Sequence, residues 1–287
     1  ARAWDDMISG GDNSTPTGDT VTFSGDNTDY EFSADPLTGI ITVTDLRLVP
    51  ADGTDTIATD VENIEFGNTT LSLTAPVRLI DSMGHLVSTH ATISGAVAAA
   101  SDGYTVQILG QDGSPDFTES VSVDKALSFL GIDVGNGLPE ISSAGVVFNL
   151  TGALGALNTV SFSNLVIEGG TFGILAGSGV TSLGQLTIDN VDISGTATNA
   201  IAVQGPSAAI LSNVSNVVIT DSNFANNGDG TSGGDGDISF FGSGASLGER
   251  LVVVRAAGRY DAVAKDISTG GVGLLRTPQF ADREPVS

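Results

Sequence analysis

The architecture of this chain is indicated most directly by the segment Leu186-Thr187-Ile188-Asp189-Asn190-Val191-Asp192-Ile193. Its large apolar residues stand at the first, third, sixth and eighth positions, so two segments with strand periodicity meet at a shift of one residue. Asn190 lies at that shift, and asparagine tolerates the left-handed backbone of a sharp bend better than most residues. The pattern predicts two short strands joined by a corner.

Three more segments carry the same pattern, which makes the stretch a repeat. They begin at Leu127, Val160 and Val217, so successive copies start 33, 26 and 31 residues apart. The residues at their shifts, which are Gly131, Asn164 and Asp221, also suit a bend and can bond along a stack. A chain that turns the same corner in every copy, with apolar side chains inward, is a solenoid coil.

The segment before the first copy predicts a cover for the end of the solenoid. Residues 91–100 are alanine-rich and helix-compatible, and a strand at 105–109 and the segment 119–125 follow. This order resembles the capped N-terminal end of pectin-lyase-like right-handed β-helices, over residues 79–227 of this chain. The resemblance implies an all-β fold, a right-handed parallel β-helix. It implies no single function, since lyases, hydrolases, epimerases, adhesins and phage spikes share this fold.

The first quarter of the chain predicts a small β domain of short strands bounded by Gly, Asn, Asp and Pro. Its runs 24–30, 37–45 and 52–66 resemble the module that follows calcium-binding nonapeptides in repeats-in-toxin proteins. Asp6-Met7-Ile8-Ser9-Gly10-Gly11 fits parts of two such nonapeptides, whereas Asn13 and Thr15 stand where the pattern has Gly and Asp. The resemblance implies a secreted bacterial protein that binds calcium, and we expect Asp6 and Asp12 among the ligands.

These patterns predict three parts. Residues 1–75 form a repeats-in-toxin-type β module, residues 76–240 form the right-handed parallel β-helix with a cap helix near 91–100, and residues 241–287 form C-terminal strands and a tail. The charge changes along the chain in the same way. Residues 1–75 have 14 acids and 2 bases and residues 76–237 have 15 and 2, whereas residues 238–287 have 5 and 6.

Composition excludes several classes of function. The net charge is −24 and the isoelectric point is near 4.1, which repels nucleic acid and anionic membranes and attracts divalent cations. The chain has no cysteine, so disulfides and thiolate sites are excluded. We expect bound calcium to stabilise the fold in their place. No run reaches the roughly 18 apolar residues of a membrane span, so we expect no membrane insertion. We expect a secreted, extracellular or cell-surface protein.

Two groups of residues are candidates for metal binding. The loop 226–237 is dense in oxygen ligands and glycine, and its run Gly233-Gly234-Asp235-Gly236-Asp237 resembles a repeats-in-toxin turn. We expect Asp229, Asp235 and Asp237 to bind calcium there, and a flexible acidic loop is the alternative. Asp81, His85 and His90 form a second candidate, but their spacing fits no zinc motif and favours polar residues of turns and surface.

The repeats also carry candidate catalytic acids. Asp189, Asp192 and Asp221 lie on neighbouring copies, and a carboxylate pair at the right separation can hydrolyse a glycosidic bond. The alternative places the first two in solvent and the third at the bend. No lysine or arginine occurs between Lys125 and Arg250, so an acidic polysaccharide is a poor substrate for these coils. The Gly-His-Gly and Arg-x-Lys motifs of catalytic β-helices are also absent.

The sequence therefore favours a structural or adhesive surface protein, a component of a surface layer, filament or matrix that calcium stabilises. Its expected partners are further copies of itself or neighbouring surface proteins, and the basic C-terminal segment either contacts an acidic neighbour or is a frayed end. The alternative is a carbohydrate-active enzyme or glycan-binding module for neutral polysaccharide. Against it, the single Trp and the three Tyr all lie outside the four repeats.

Overall fold

The computed structural model describes residues 5–11, 18–49, 52–204, 214–228, 236–241, 251–255, 258–260 and 273–275. Strands make up most of this part of the chain, and its apolar side chains gather in two buried clusters. One cluster draws on residues 21–86 and the other on residues 77–238. The two clusters meet at one strand near residue 80, which is described below.

The first seven strands form what we call the small β module. They are β1 (Met7–Ile8), β2 (Thr20–Thr22), β3 (Tyr30–Ala34), β4 (Ile41–Asp45), β5 (Thr54–Ile57), β6 (Asn63–Glu65) and β7 (Thr70–Ser72), with a 3-10 turn at Asn27–Asp29. Four of them form a sheet in the order β1-β5-β4-β3, and the other three form the sheet β2-β6-β7. The rings of Phe23, Tyr30 and Phe66 pack together in its core, with centroids 5.1–5.7 Å apart.

A hairpin and a short helix cover the first coil. Strands β8 (Val77–Ile80) and β9 (Leu86–His90) pair antiparallel, and helix α1 (Ile93–Ala99) follows. The Glu119 carboxylate accepts hydrogen bonds from the Ile93 and Ser94 N–H groups at 2.8 and 2.9 Å, and Lys125 Nζ donates to the Val97 carbonyl oxygen at 3.2 Å. An acid at the N-terminus and a base at the C-terminus complement the helix dipole. The helix therefore lies where the sequence predicts it and is held by the first coil.

The remaining strands wind around the solenoid. They are β10 (Thr105–Leu109), β11 (Phe117–Thr118), β12 (Val121–Val123), β13 (Ser128–Ile132), β14 (Glu140–Ser142), β15 (Val146–Glu168), β16 (Phe172–Ser194), β17 (Asn199–Gln204), β18 (Val214–Thr220), β19 (Asn223–Ala225), β20 (Gly236–Phe241), β21 (Leu251–Arg255), β22 (Gly258–Tyr260) and β23 (Gly273–Leu275). The pairs between coils are parallel, whereas β22 and β23 add antiparallel edges to β21 and β20.

Three parallel faces result, and each stacks apolar side chains inward in rows. One row of the first face is Val106, Phe129, Phe162, Ile188 and Ile219. One row of the second face is Phe117, Ile141, Ile167, Ile193 and Phe224. One row of the third face is Val121, Phe148, Ile174, Ile201 and Ile238.

The register confirms the repeat. Val160 pairs with Leu186 and Leu186 pairs with Val217, so these three occupy equivalent places in successive coils. Leu127 joins them, because its carbonyl oxygen accepts from the Ser161 N–H at 3.1 Å and Ser128 pairs with Ser161. The chain is an all-β protein with a β-solenoid of about four turns, a parallel β-helix.

The predicted corner is confirmed at three of its four residues. Asn164, Asn190 and Asp221 have φ of 55°, 51° and 45°, and Asn190 Nδ2 donates to Asn164 Oδ1 at 2.9 Å. Gly131 differs, since it does not adopt a positive φ. A Cβ on Gly131 would overlap the Asn164 carbonyl oxygen, so glycine is required there for close approach of two coils.

A second corner, which the sequence analysis missed, also has left-handed backbone. Gly169, Gly195 and Asn226 have φ of 70°, 67° and 55°, and each follows a residue that pairs in the ladder of Glu168, Ser194 and Ala225. The Gly169 N–H donates to the Ser194 carbonyl oxygen at 2.9 Å. Both corners therefore need residues that tolerate positive φ.

Replacing Asn190 should show how much the first corner depends on left-handed backbone. We expect Asn190→Val to lower the free energy of unfolding by about 1–2 kcal/mol, since a β-branched residue resists positive φ. Asn190→Gly should cost only about 0.5–1 kcal/mol, because glycine adopts this φ freely. Urea unfolding of both variants measures the difference, and equal losses would contradict the role of the backbone.

Replacing Glu119 tests how the cap helix is held. We expect Glu119→Gln to lower the free energy of unfolding by about 1–2 kcal/mol, because it removes the charge and one of the acceptors that bind the first turn of α1. Glu31→Gln, on an exposed residue of β3, is the matched control and should be close to neutral. Urea unfolding followed by circular dichroism measures both, and equal stability of the two variants would refute the role of Glu119.

Candidate functional site

The densest polar cluster of the small β module surrounds Arg47. Its Nε donates to Asp45 Oδ1 at 2.9 Å, and its Nη2 lies 3.1 Å from Asp52 Oδ2 and 3.0 Å from the Tyr30 hydroxyl oxygen. The Tyr30 hydroxyl also donates a short hydrogen bond to Asp52. Burial and then that bond raise the pKa of Tyr30 to about 12, and the bond from Arg47 lowers the pKa of Asp45 to about 2.

This cluster stabilises the structure and is not suited to acid–base catalysis. Tyr30 stays protonated and Asp45 stays ionised at neutral pH, so neither group is poised to transfer a proton. The ion pairs of Arg47 with Asp45 and Asp52 hold the segment after β4, whereas Leu48 and Val49 of that segment are exposed. We interpret the cluster as the anchor of that segment.

Three carboxylates of the described residues each have a buried oxygen that receives no hydrogen bond. They are Asp19 Oδ2, Asp55 Oδ2 and Glu140 Oε1. Asp55 is fully buried in β5, where its other oxygen accepts from the Asp6 N–H at 3.1 Å. Burial raises the pKa of Asp55. Such oxygens call for a proton or a cation, because an ionised carboxylate without a partner is costly to bury.

Glu140 belongs to a group of polar side chains on the second face of the solenoid. Ser114 Oγ donates to Glu140 Oε2 at 3.1 Å, and the Glu140 N–H donates to Asp116 Oδ2 at 3.0 Å. Glu168, on the next coil, pairs with Ser142 and brings its carboxyl within hydrogen-bonding reach of Glu140. Burial and then the bond with Glu168 raise the pKa of Glu140.

The two glutamates form a carboxyl pair that sequence analysis missed. Two carboxylates this close repel each other unless one carries a proton or a cation lies between them. No sequence pattern links Glu140 and Glu168, because only the register between coils brings them together.

The catalytic candidates named from the sequence take separate positions on the coils. Asp189 pairs with Thr220 and accepts a short hydrogen bond from its hydroxyl. Asp192 is exposed, as the alternative interpretation predicts, and pairs with Asn223. Asp221 takes the corner, also as that interpretation predicts. Asp189 differs from it, since it is half-buried rather than in solvent.

The metal candidates are only partly within the described residues. Asp6 is exposed, while Asp12, Asp229 and Asp235 lie outside the described residues, and Asp237 lies in β20 with its side chain undescribed. Among the residues that the structure describes, no group of three or more His, Asp or Glu could hold a metal ion.

The second metal candidate is not a metal site. His85 Nδ1 lies 2.8 Å from Asp81 Oδ2, whereas His90 Nε2 bonds to Ser88 Oγ at 2.8 Å. The histidines therefore have separate partners. The prediction of surface positions is wrong for His85, which is buried with its ring against the Asp81 carboxylate.

No protein family, no curated protein and no solved structure matches the chain. In the described part of the chain, no helix is long and apolar enough to span a bilayer.

The Glu140 carboxyl predicts a pH-dependent contribution to stability. Its pKa is raised in the folded state, so its contribution is fully present below the unfolded-state value of about 4.3 and is lost as the pH rises through the folded-state pKa. Glu140→Gln keeps the side chain neutral, so this variant should gain stability relative to the natural chain as the pH rises from 4 to 7. Urea unfolding across this range measures the gain. Glu31→Gln is the control, and the same trend in both variants would contradict the assignment.

Proposed function

We propose that this protein is a structural or adhesive component of an extracellular surface, stabilised by calcium and able to self-assemble. The observation that carries the proposal is the pair of buried carboxylate oxygens without donors at Asp19 and Asp55, in a chain with a net charge of −24. Calcium is a hard cation that prefers carboxylate oxygens, so it suits these groups better than softer metals do.

The proposed calcium would lie near Asp19 in the small β module. Asp60 there accepts hydrogen bonds from the Gly10 and Gly11 N–H groups at 3.1 Å each, and Glu62 accepts from the Asp19 N–H at 2.7 Å. Asp19, Asp60 and Glu62 therefore lie on neighbouring segments of the module. A cation that neutralises them would favour the folded module, as metal binding does in other small domains.

The solenoid supports a structural role. Its parallel coils give a stiff scaffold, because the inward rows are continuous from coil to coil. Self-association is consistent with the charge distribution, since the segment 238–287 has more bases than acids whereas the rest of the chain is strongly acidic. Complementary charge between copies would favour assembly at low salt.

A glycan-binding or glycan-active module for neutral polysaccharide is the second candidate. The pair Glu140 and Glu168 favours it, because perturbed acids cluster at functional sites. Screening neutral glycans for binding or cleavage separates the two proposals. Turnover that Glu140→Gln abolishes would overturn the structural proposal.

Calcium removal tests the leading proposal on the purified chain. We expect chelator to lower the melting temperature by roughly 5–10 °C relative to saturating calcium. A free calcium concentration near 100 times Kd stabilises the folded state by about 2.7 kcal/mol. Sedimentation should show smaller particles in chelator. Asp55→Asn should reduce the calcium-dependent shift, whereas Asp112→Asn, on an exposed residue, should retain it. Unchanged melting and particle size in chelator would refute the proposal.

A further inference from the structure

Strand β8 is buried on both of its sides, and one of its residues is an arginine. All four of its residues are inaccessible, with Val77 and Leu79 in the core of the solenoid and Ile80 in the core of the small β module. Arg78 shares the side of Ile80, since neighbours in a strand alternate. Only 3% of Arg78 is exposed. A cation is therefore enclosed between the solenoid and the small β module.

Arg78 uses little of its hydrogen-bonding capacity. Its Nη2 donates to the Leu73 carbonyl oxygen at 2.8 Å, and its guanidinium carbon lies 5.9 Å from the centre of the Phe32 ring. Its Nε and Nη1 are buried and have no partner among the described residues. A guanidinium has five N–H donors, so most of them point into this interface without an acceptor.

Gln107 lies beside Arg78 and also has a buried polar atom without a hydrogen-bond partner among the described residues. The two residues are direct cross-strand partners in the antiparallel pair of β8 and β10, so their side chains are neighbours on one face. Gln107 is 5% exposed, and its Oε1 is buried with no partner in the described part of the chain. Rotating the amide by 180° places an N–H donor at the position of that oxygen. Arg78 and Gln107 can thus donate to one shared acceptor.

The charge of Arg78 decides what that acceptor is. Burial lowers the pKa of Arg78 to about 10, and no neighbouring acid offsets this effect, but the group stays protonated at neutral pH. No described residue forms an ion pair with it. Buried charges in proteins are normally paired, and a water molecule would satisfy the donors without neutralising the charge.

We propose that a small monovalent inorganic anion, such as chloride, binds between Arg78 and Gln107 beneath the small β module. One positive charge in an enclosed site matches one negative charge, and the two unpartnered nitrogens of Arg78 supply its donors. Because Leu73 and Phe32 belong to the module side of the interface, the anion would hold the module against the capped end of the solenoid. This site is independent of calcium and of the proposed function.

Anion dependence of melting is the first test. With calcium and ionic strength held constant and gluconate as the replacing anion, the melting temperature should rise by roughly 3 °C for each tenfold increase in chloride above Kd. Bromide should act in the same way. Arg78→Met should abolish this dependence, whereas Lys125→Met, which removes the same charge from a partly exposed side chain, should retain it. If Arg78→Met fails to fold, Gln107→Leu serves instead and should weaken the dependence.

Diffraction from crystals grown in bromide is the second test. We expect an anomalous peak within hydrogen-bonding distance of Arg78 Nε and Nη1. A water molecule there, or a carboxylate of the chain itself, would overturn the proposal. Equal dependence on chloride in the natural chain and in Arg78→Met would overturn it as well.

Discussion

Apolar side chains stack in register from coil to coil, and this stacking stabilises the solenoid. The rings of Phe129 and Phe162 are parallel to within 5° and their centroids are 4.9 Å apart, which is also the spacing of paired strands. Each coil therefore buries its side chains mainly against the next coil, and no coil is stable alone. This makes the first coil vulnerable, so helix α1 and the hairpin of β8 and β9 must cover its apolar residues.

The sequence predicts the features that recur in every copy of the repeat, but not the contacts that depend only on the register between coils. Val160, Leu186 and Val217 could be aligned because the apolar spacing around them recurs, and the corner residues Asn164 and Asn190 followed from the same alignment. The second corner gave no such signal, since Gly169 and Gly195 are two of 38 glycines in a chain where glycine also serves turns and close approaches.

The candidate site was predicted less well than the fold, for a physical reason. Whether two acids meet depends on the exact offset between coils, which varies with the length of each insertion. Asp189 therefore meets Thr220 rather than another acid, and Glu140 meets Glu168, although neither pairing is visible in the spacing of charges. Gly131 shows the same limit, because its close approach to Asn164 is a property of two coils and not of one segment.

Strand β8 explains why polar groups collect at the joint between the two cores. A solenoid needs its first open edge covered, and β8 does this by pairing antiparallel with β10. A strand in that place faces the solenoid with one side and the small β module with the other. Alternate residues then serve different cores. Arg78 donates to the Leu73 carbonyl oxygen, and its guanidinium carbon lies 5.9 Å from the centre of the Phe32 ring. Arg78 Nε and Nη1 are enclosed because β8 lies between the core of the solenoid and the core of the small β module. The polar site is therefore a consequence of how the solenoid is capped.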